Sequence, residues 1–224
     1  MLAPVNPVLL CNGVDLMTQK MYQDIIAEIR KSYHDIHATD EEKIKEVVAK
    51  LLSKLTSDGK ISYPLPVVHL LKQMGFGLFR TNFKNPEQSG LIAVDSSLPE
   101  KNKLFKTDRI VLVNNQDSTA HQRFTIAHEL AHYIFHFDEA TQPTYYKAYL
   151  TSEKTDDAEL LANRFAAELL MPTAEFKKLF SQYNAEQGET FSLPNTITYL
   201  SQQFDAPVTA VKRRLVETGC IEGE

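Results

Sequence analysis

The sequence predicts an α+β fold, mainly helical with a small three-stranded sheet, on three observations. Strand-like stretches are confined to residues 76–114 and do not alternate with helices in a β-α-β pattern. Everything after them carries helical periodicity. Only 8 glycines occur in 224 residues, too few for the turn-dense punctuation of an all-β fold.

The elements follow in chain order. Tyr22, Ile25, Ile26, Ile29, Tyr33 and Ile36 recur at the spacing of one helix face. A second helix carries Ile44, Val47, Val48, Leu51, Leu52 and Leu55, with Thr39 and Glu42 placed as a capping box and Gly59 as a stop. These helices are charged and poor in aromatics, so residues 1–60 are expected to form an N-terminal helical appendage to a main domain at 61–224. Pro64 and Pro66 hold an extended linker, and Pro66 can open a short helix ending near Gly75. Strands are expected at Phe76–Thr81, Ser89–Asp95 and Arg109–Asn114, divided by Asn-Pro and Leu-Pro-Glu turns. Helices are then expected at about 117–137, 154–171, 173–182, 193–204 and 207–218, with residues 138–153 as a loop.

Composition narrows the function classes. At 43% apolar and 24% charged residues the chain reads as a folded globular protein, neither disordered nor fibrous. A net charge of -5 offers no overall field for DNA or anionic lipid. Two cysteines, Cys11 and Cys220, stand near opposite ends without framework spacing, and no 18-residue apolar run or signal peptide is visible, so a cytoplasmic location is expected.

The chemistry concentrates in Arg123-Phe-Thr-Ile-Ala-His-Glu-Leu-Ala-His-Tyr-Ile-Phe-His136, which holds H-E-x-x-H as His128, Glu129 and His132. On a helix, positions four apart lie about 40° and 6 Å apart, so both imidazoles can converge on one ion with Glu129 beside it. His121, Thr125, Glu129, His132 and His136 fall on the same stripe, while Phe124, Ile126, Leu130 and Ile134 cover the opposite arc. Histidines on an otherwise apolar helix are an expensive way to fill a core unless they bind something.

A hydrolytic zinc takes three protein ligands and keeps one position open. His136 is about 12 Å along the helix from His128, too far to be the third. Glu159 on the next helix is the better candidate. Ala162, Ala166 and Ala167 would let that helix approach closely, and Asn163, one turn after Glu159, can orient a ligand histidine through its other ring nitrogen.

The two segments together, Arg123 to Tyr133 and Glu159-x-x-Ala-Asn-x-Phe-Ala-Ala-Glu-Leu-Leu-Met-Pro172, resemble the ImmA/IrrE metallopeptidases. The resemblance extends more loosely from about residue 64 to 221, through Gly90 and Ile110-Val-Leu-Val-Asn114 before the motif and Ile197 to Leu215 after it. Ala131 departs from the glycine usual before the second histidine. The family implies a minimal zincin-like metallopeptidase domain: His128, His132 and Glu159 as zinc ligands, Glu129 as catalytic base. It also implies a protein substrate, typically a helix-turn-helix transcriptional repressor of a mobile element or stress response.

An oxyanion donor is required as well. Tyr145, Tyr146 and Tyr149, with His121 and His136 behind them, are the candidates. Two other classes compete. A DNA-binding regulator would use residues 193–218 as a helix-turn-helix with Lys212, Arg213 and Arg214, but Val208, Thr209 and Ala210 at the recognition end are poor equipment for phosphates or bases. A non-catalytic, metal-stabilised binding module would use a closed site, usually with cysteine ligands, and leaves Glu129 without a duty. Cys11 as a thiolate cap on the zinc is a further variant of inhibition.

Overall fold

The computed structural model describes residues 5–9, 16–33, 36–37, 39–53, 61–137, 144–150 and 156–222. In chain order these form β1 (Val5–Leu9), α1 (Leu16–Ser32), α2 (Glu41–Ser53), α3 (Val67–Gln73), β2 (Gly77–Thr81), β3 (Gln88–Asp95) and α4 (Leu98–Lys101). There follow β4 (Arg109–Asn114), α5 (Thr119–His136), β5 (Thr144–Leu150), α6 (Asp157–Leu170), α7 (Thr173–Gln187), one 3-10 turn at Gly188–Thr190, α8 (Leu193–Phe204) and α9 (Val208–Glu217). The fold class is α+β, as the sequence predicts.

The sheet is larger than expected. Its five strands run β1-β2-β4-β3-β5, with β2 and β4 parallel and the other neighbours antiparallel. The three expected strands form its centre; β1 and β5 are added at the edges. Alternation along β2, β3 and β4 separates two apolar faces. Leu78, Ile92, Val94, Val111 and Val113 join the main core under the helices. Phe79, Ala93, Ile110 and Leu112 face a small second cluster closed by Leu98 and Phe105. Central β4 is therefore buried throughout.

Helix α5 lies across the main face of this sheet, and α6 packs along α5. Ala127 and Ala131 on α5 and Ala162, Ala166 and Ala167 on α6 are all buried, so small side chains line the elements that meet at the site. Several polar residues of the two sequence motifs serve to hold this frame. Arg123 donates from Nη2 to the Leu65 carbonyl (2.8 Å) and pairs with Asp205 (3.1 Å), tying the linker and the left-handed turn after α8 to α5. Glu168 accepts from the Thr173 amide at the start of α7 (3.1 Å) and pairs with Arg214 of α9. Arg214 also donates to the Met171 carbonyl and is buried, so this member of the expected basic cluster belongs to the protein's interior.

The first two helices enter the same core. Tyr22, Ile25, Ile26 and Ile29 of α1 and Ile44, Val47, Val48, Leu51 and Leu52 of α2 are buried in it. Arg30 donates to the carbonyls of Tyr133 and Ile134 in the last turn of α5, where a cation is favourably placed. At the start of α2 the Asp40 carbonyl accepts the first helical bond, from Ile44, one residue after the expected cap Thr39. Gly59 and Cys11 lie outside the described residues. A chain beginning at Ile61 uncovers the α5 and α6 surfaces on which α1 and α2 sit. Loss of only a few buried aliphatic side chains is worth several kcal/mol, so thermal denaturation is expected at least about 10 °C lower. An unchanged melting temperature would show that the two helices add nothing to the core.

Candidate metal centre

Two capped helix starts place the site. Ser118 caps α5 by accepting from the His121 amide (3.2 Å). Asp156 caps α6 by accepting from the Glu159 amide (2.8 Å), which fixes Glu159 in the first turn of α6, facing α5. The two spaced motifs meet there: one donor atom from each of His128, His132 and Glu159 lies within 4.8 Å of the others. Nε2 of His128 is 3.0 Å from Nε2 of His132, and the Glu159 carboxylate lies 3.1 Å from the first and 3.3 Å from the second.

The second ring nitrogens decide which atoms face inward. Asn163 Oδ1 stands 3.1 Å from His128 Nδ1 and accepts a hydrogen bond from it, which keeps the ring proton on Nδ1 and leaves a lone pair on Nε2. His132 Nδ1 is 3.1 Å from His136 Nδ1. Burial first, then the neighbouring His132, lowers the His136 pKa to about 4, so this ring is neutral and can accept from His132. Burial is also the main cause that lowers the His128 pKa. Burial alone would raise the Glu159 carboxyl, but its pKa is lowered; with both Nε2 atoms presenting lone pairs, the Lys147 ammonium is the donor that holds the carboxylate ionised. Two imidazole lone pairs and a carboxylate thus point at one another inside the protein. That donor set, two nitrogens and an oxygen, suits a metal ion. His136 is outside it, as helix geometry requires.

Glu129 stands beside this group and is fully buried; neither carboxylate oxygen has a hydrogen-bond partner. Burial above all, and then the charge of Glu159, raises its pKa well above the ordinary carboxylate range. An orphaned carboxyl in the interior is costly unless it has work to do. Gly90 of β3 lies against it: a Cβ there would collide with Thr125 and stand 2.8 Å from Glu129 Oε1. Gly90→Ala is therefore expected to cost about 1–3 kcal/mol through overpacking, while metal content stays at the wild-type level because no donor atom is touched. A chemical denaturation curve matching wild type would sink the claim that the strand needs glycine here.

The remaining candidates are dispersed. Residues 144–150 form β5 instead of a loop, and this is where the expectation for the oxyanion candidates changes. In the register Ile92 opposes Lys147 and Val94 opposes Tyr145, so Lys147 and Tyr145 share the face turned to α5. Lys147 Nζ reaches Glu159 Oε1 at 2.7 Å, a contact to which no sequence pattern points. The pKa of Tyr145, half-buried against Phe137 with a ring separation of 5.0 Å, is raised by burial first and then by Glu129 and Glu159. Tyr146 faces the other way and donates to Asp95. The Tyr149 side chain lies outside the described residues, and His121 is engaged with Ser89 (3.1 Å).

Among the described residues no helix is long and apolar enough to cross a membrane. No curated protein matches the chain. The family model for the IrrE N-terminal-like domain, peptidase family M78, matches residues 73–216, which take in the sheet from β2 to β5, both site helices and all three donor residues. With most of its length matched, and with a buried donor group able to hold the metal that a metallopeptidase needs, the chain belongs to the IrrE N-terminal-like M78 peptidase family.

Proposed function

We propose that this protein is a zinc-dependent endopeptidase, acting in the cytoplasm on a protein substrate, a helix-turn-helix transcriptional repressor of a mobile element or stress response. The observation that carries the reading is the pairing of a buried two-histidine, one-carboxylate donor set with a second carboxyl, Glu129, that has no structural partner. His128, His132 and Glu159 would hold the zinc. Zinc bound there supplies a Lewis acid for the scissile carbonyl and a water of lowered pKa.

The chain's own groups do the rest. Glu129 takes the proton of the attacking water and returns it to the leaving amine. Its buried, partnerless setting raises its proton affinity above that of an ordinary carboxylate, which favours a group that must serve as base and then as acid. Asn163 and His136 hold the two imidazoles with their Nε2 atoms inward.

The test is incubation of the zinc-loaded protein with the repressor encoded beside its gene. Discrete fragments that a chelator abolishes and added zinc restores are the expected outcome. An intact repressor that still binds the protein and loses its function would replace cleavage by capture.

A further inference from the structure

The site is closed. His128 and Glu129 are 0% exposed, His132 1% and Glu159 7%. A peptidase must admit a chain to such groups, so whatever stands over them decides whether it can act. Among the described residues β5 reaches this group from the sheet's edge, through Lys147 at Glu159.

β5 is the outermost strand on its side of the sheet, laddered antiparallel to β3 from Asp95↔Thr144 to Gln88↔Leu150. The outer edge of β3 is the edge to which an extended peptide could add by the same backbone bonds. Within this register Tyr149 opposes Gly90, the residue whose missing side chain leaves room for Glu129. A peptide in the place of β5 would run past Glu129, and two strands cannot share one edge. Side chains anchor the occupant at both faces. Lys147 pairs with Glu159 on the inner face, while on the outer face Tyr146 donates to Asp95, which also binds Lys101 (2.6 Å). The inner anchor is attached to a donor residue of the site itself.

We propose that β5 is an autoinhibitory strand: it occupies the edge of β3 that a substrate chain would use, is tied by Lys147 to Glu159, and must be peeled away before the site can work. The proposal rests on the peptidase reading above. Loss of the ion pair removes one anchor but leaves the ladder, so Lys147→Ala shifts the strand towards release without unfolding the sheet. A covalent link does the reverse. Leu91 and Ala148 are directly opposed in the register, and opposed antiparallel residues are spaced within the range that a disulfide spans.

The experiment uses full-length zinc-loaded protein with Cys11→Ser and Cys220→Ser, with and without Leu91→Cys plus Ala148→Cys, and with zinc content measured in every sample. The probes are fluorescein-labelled casein, as a generic unfolded protein, and a peptide hydroxamate titrated by calorimetry. The oxidised pair is expected to cleave casein and bind hydroxamate at least about tenfold less well than its reduced form, with both recovered on adding dithiothreitol. Lys147→Ala is expected to raise casein cleavage and to speed amide hydrogen exchange in residues 144–150, each by about three- to tenfold. Hydroxamate binding that is equally tight with the disulfide closed overturns the proposal, and so does slower cleavage by Lys147→Ala, which would make Lys147 a working residue of the site. If no form cleaves casein while the disulfide still controls hydroxamate access, the strand is confirmed as a gate and the cleavage reading fails separately.

Discussion

Glu159→Ala, His128→Ala and His132→Ala are each expected to abolish stable zinc binding, because two protein ligands hold the ion poorly and the buried donor group then lacks its third corner. Glu159→Ala is the most informative of the three, since it also removes the carboxylate to which Lys147 is bound. The outer partners grade the effect. Asn163→Ala and His136→Ala remove groups that orient the rings without touching the ion, so each is expected to weaken zinc affinity by about 10- to 100-fold while stoichiometric loading remains possible. Competition with a chromogenic chelator separates the two classes. Full zinc occupancy in Glu159→Ala would remove that residue from the site, and loss of loading in His136→Ala would mean that the ring does more than hold His132.

The parts of this architecture that were legible in the sequence are those set by local rules. His128, Glu129 and His132 converge because a helix brings residues four apart together, and Glu159 arrives in place because Asp156 caps the first turn of α6. The bounds of α8 are as expected because Pro194 opens its first turn and Asp205 stops it in a left-handed conformation. The edge strands were not legible. Pro7 reads as a break, yet at the sheet's edge a residue without an N–H is tolerated, and β1 pairs through it with Phe79. The run Thr-Tyr-Tyr-Lys-Ala-Tyr-Leu has the aromatic content of a strand, but its partner β3 lies some fifty residues earlier and no local pattern names it. With β5 missed, Lys147 was missed too. Arg214 shows the opposite error: a charged residue in a basic run reads as surface, and only the fold reveals Glu168 and the Met171 carbonyl waiting for it.

Glu129→Gln distinguishes a catalyst from a scaffold. The amide keeps the shape of the carboxyl and leaves His128, His132 and Glu159 untouched, so zinc content is expected to stay at the wild-type level. Stability should hold or rise slightly, because a carboxyl with no hydrogen-bond partner in the interior is replaced by a group that carries no charge at any pH. Turnover is another matter. An amide cannot accept the proton of the attacking water, and loss of that general base is expected to lower cleavage by about 10² to 10⁴. If the protein works instead by gripping its partner, a neutral side chain of equal volume at a fully buried position changes nothing that the partner can feel. Wild type and variant, compared in one preparation for zinc, partner binding and partner cleavage, therefore diverge in cleavage alone under the peptidase reading. Equal cleavage would take proton transfer away from Glu129. Equal biological output with no cleavage by either protein would take hydrolysis away from the site.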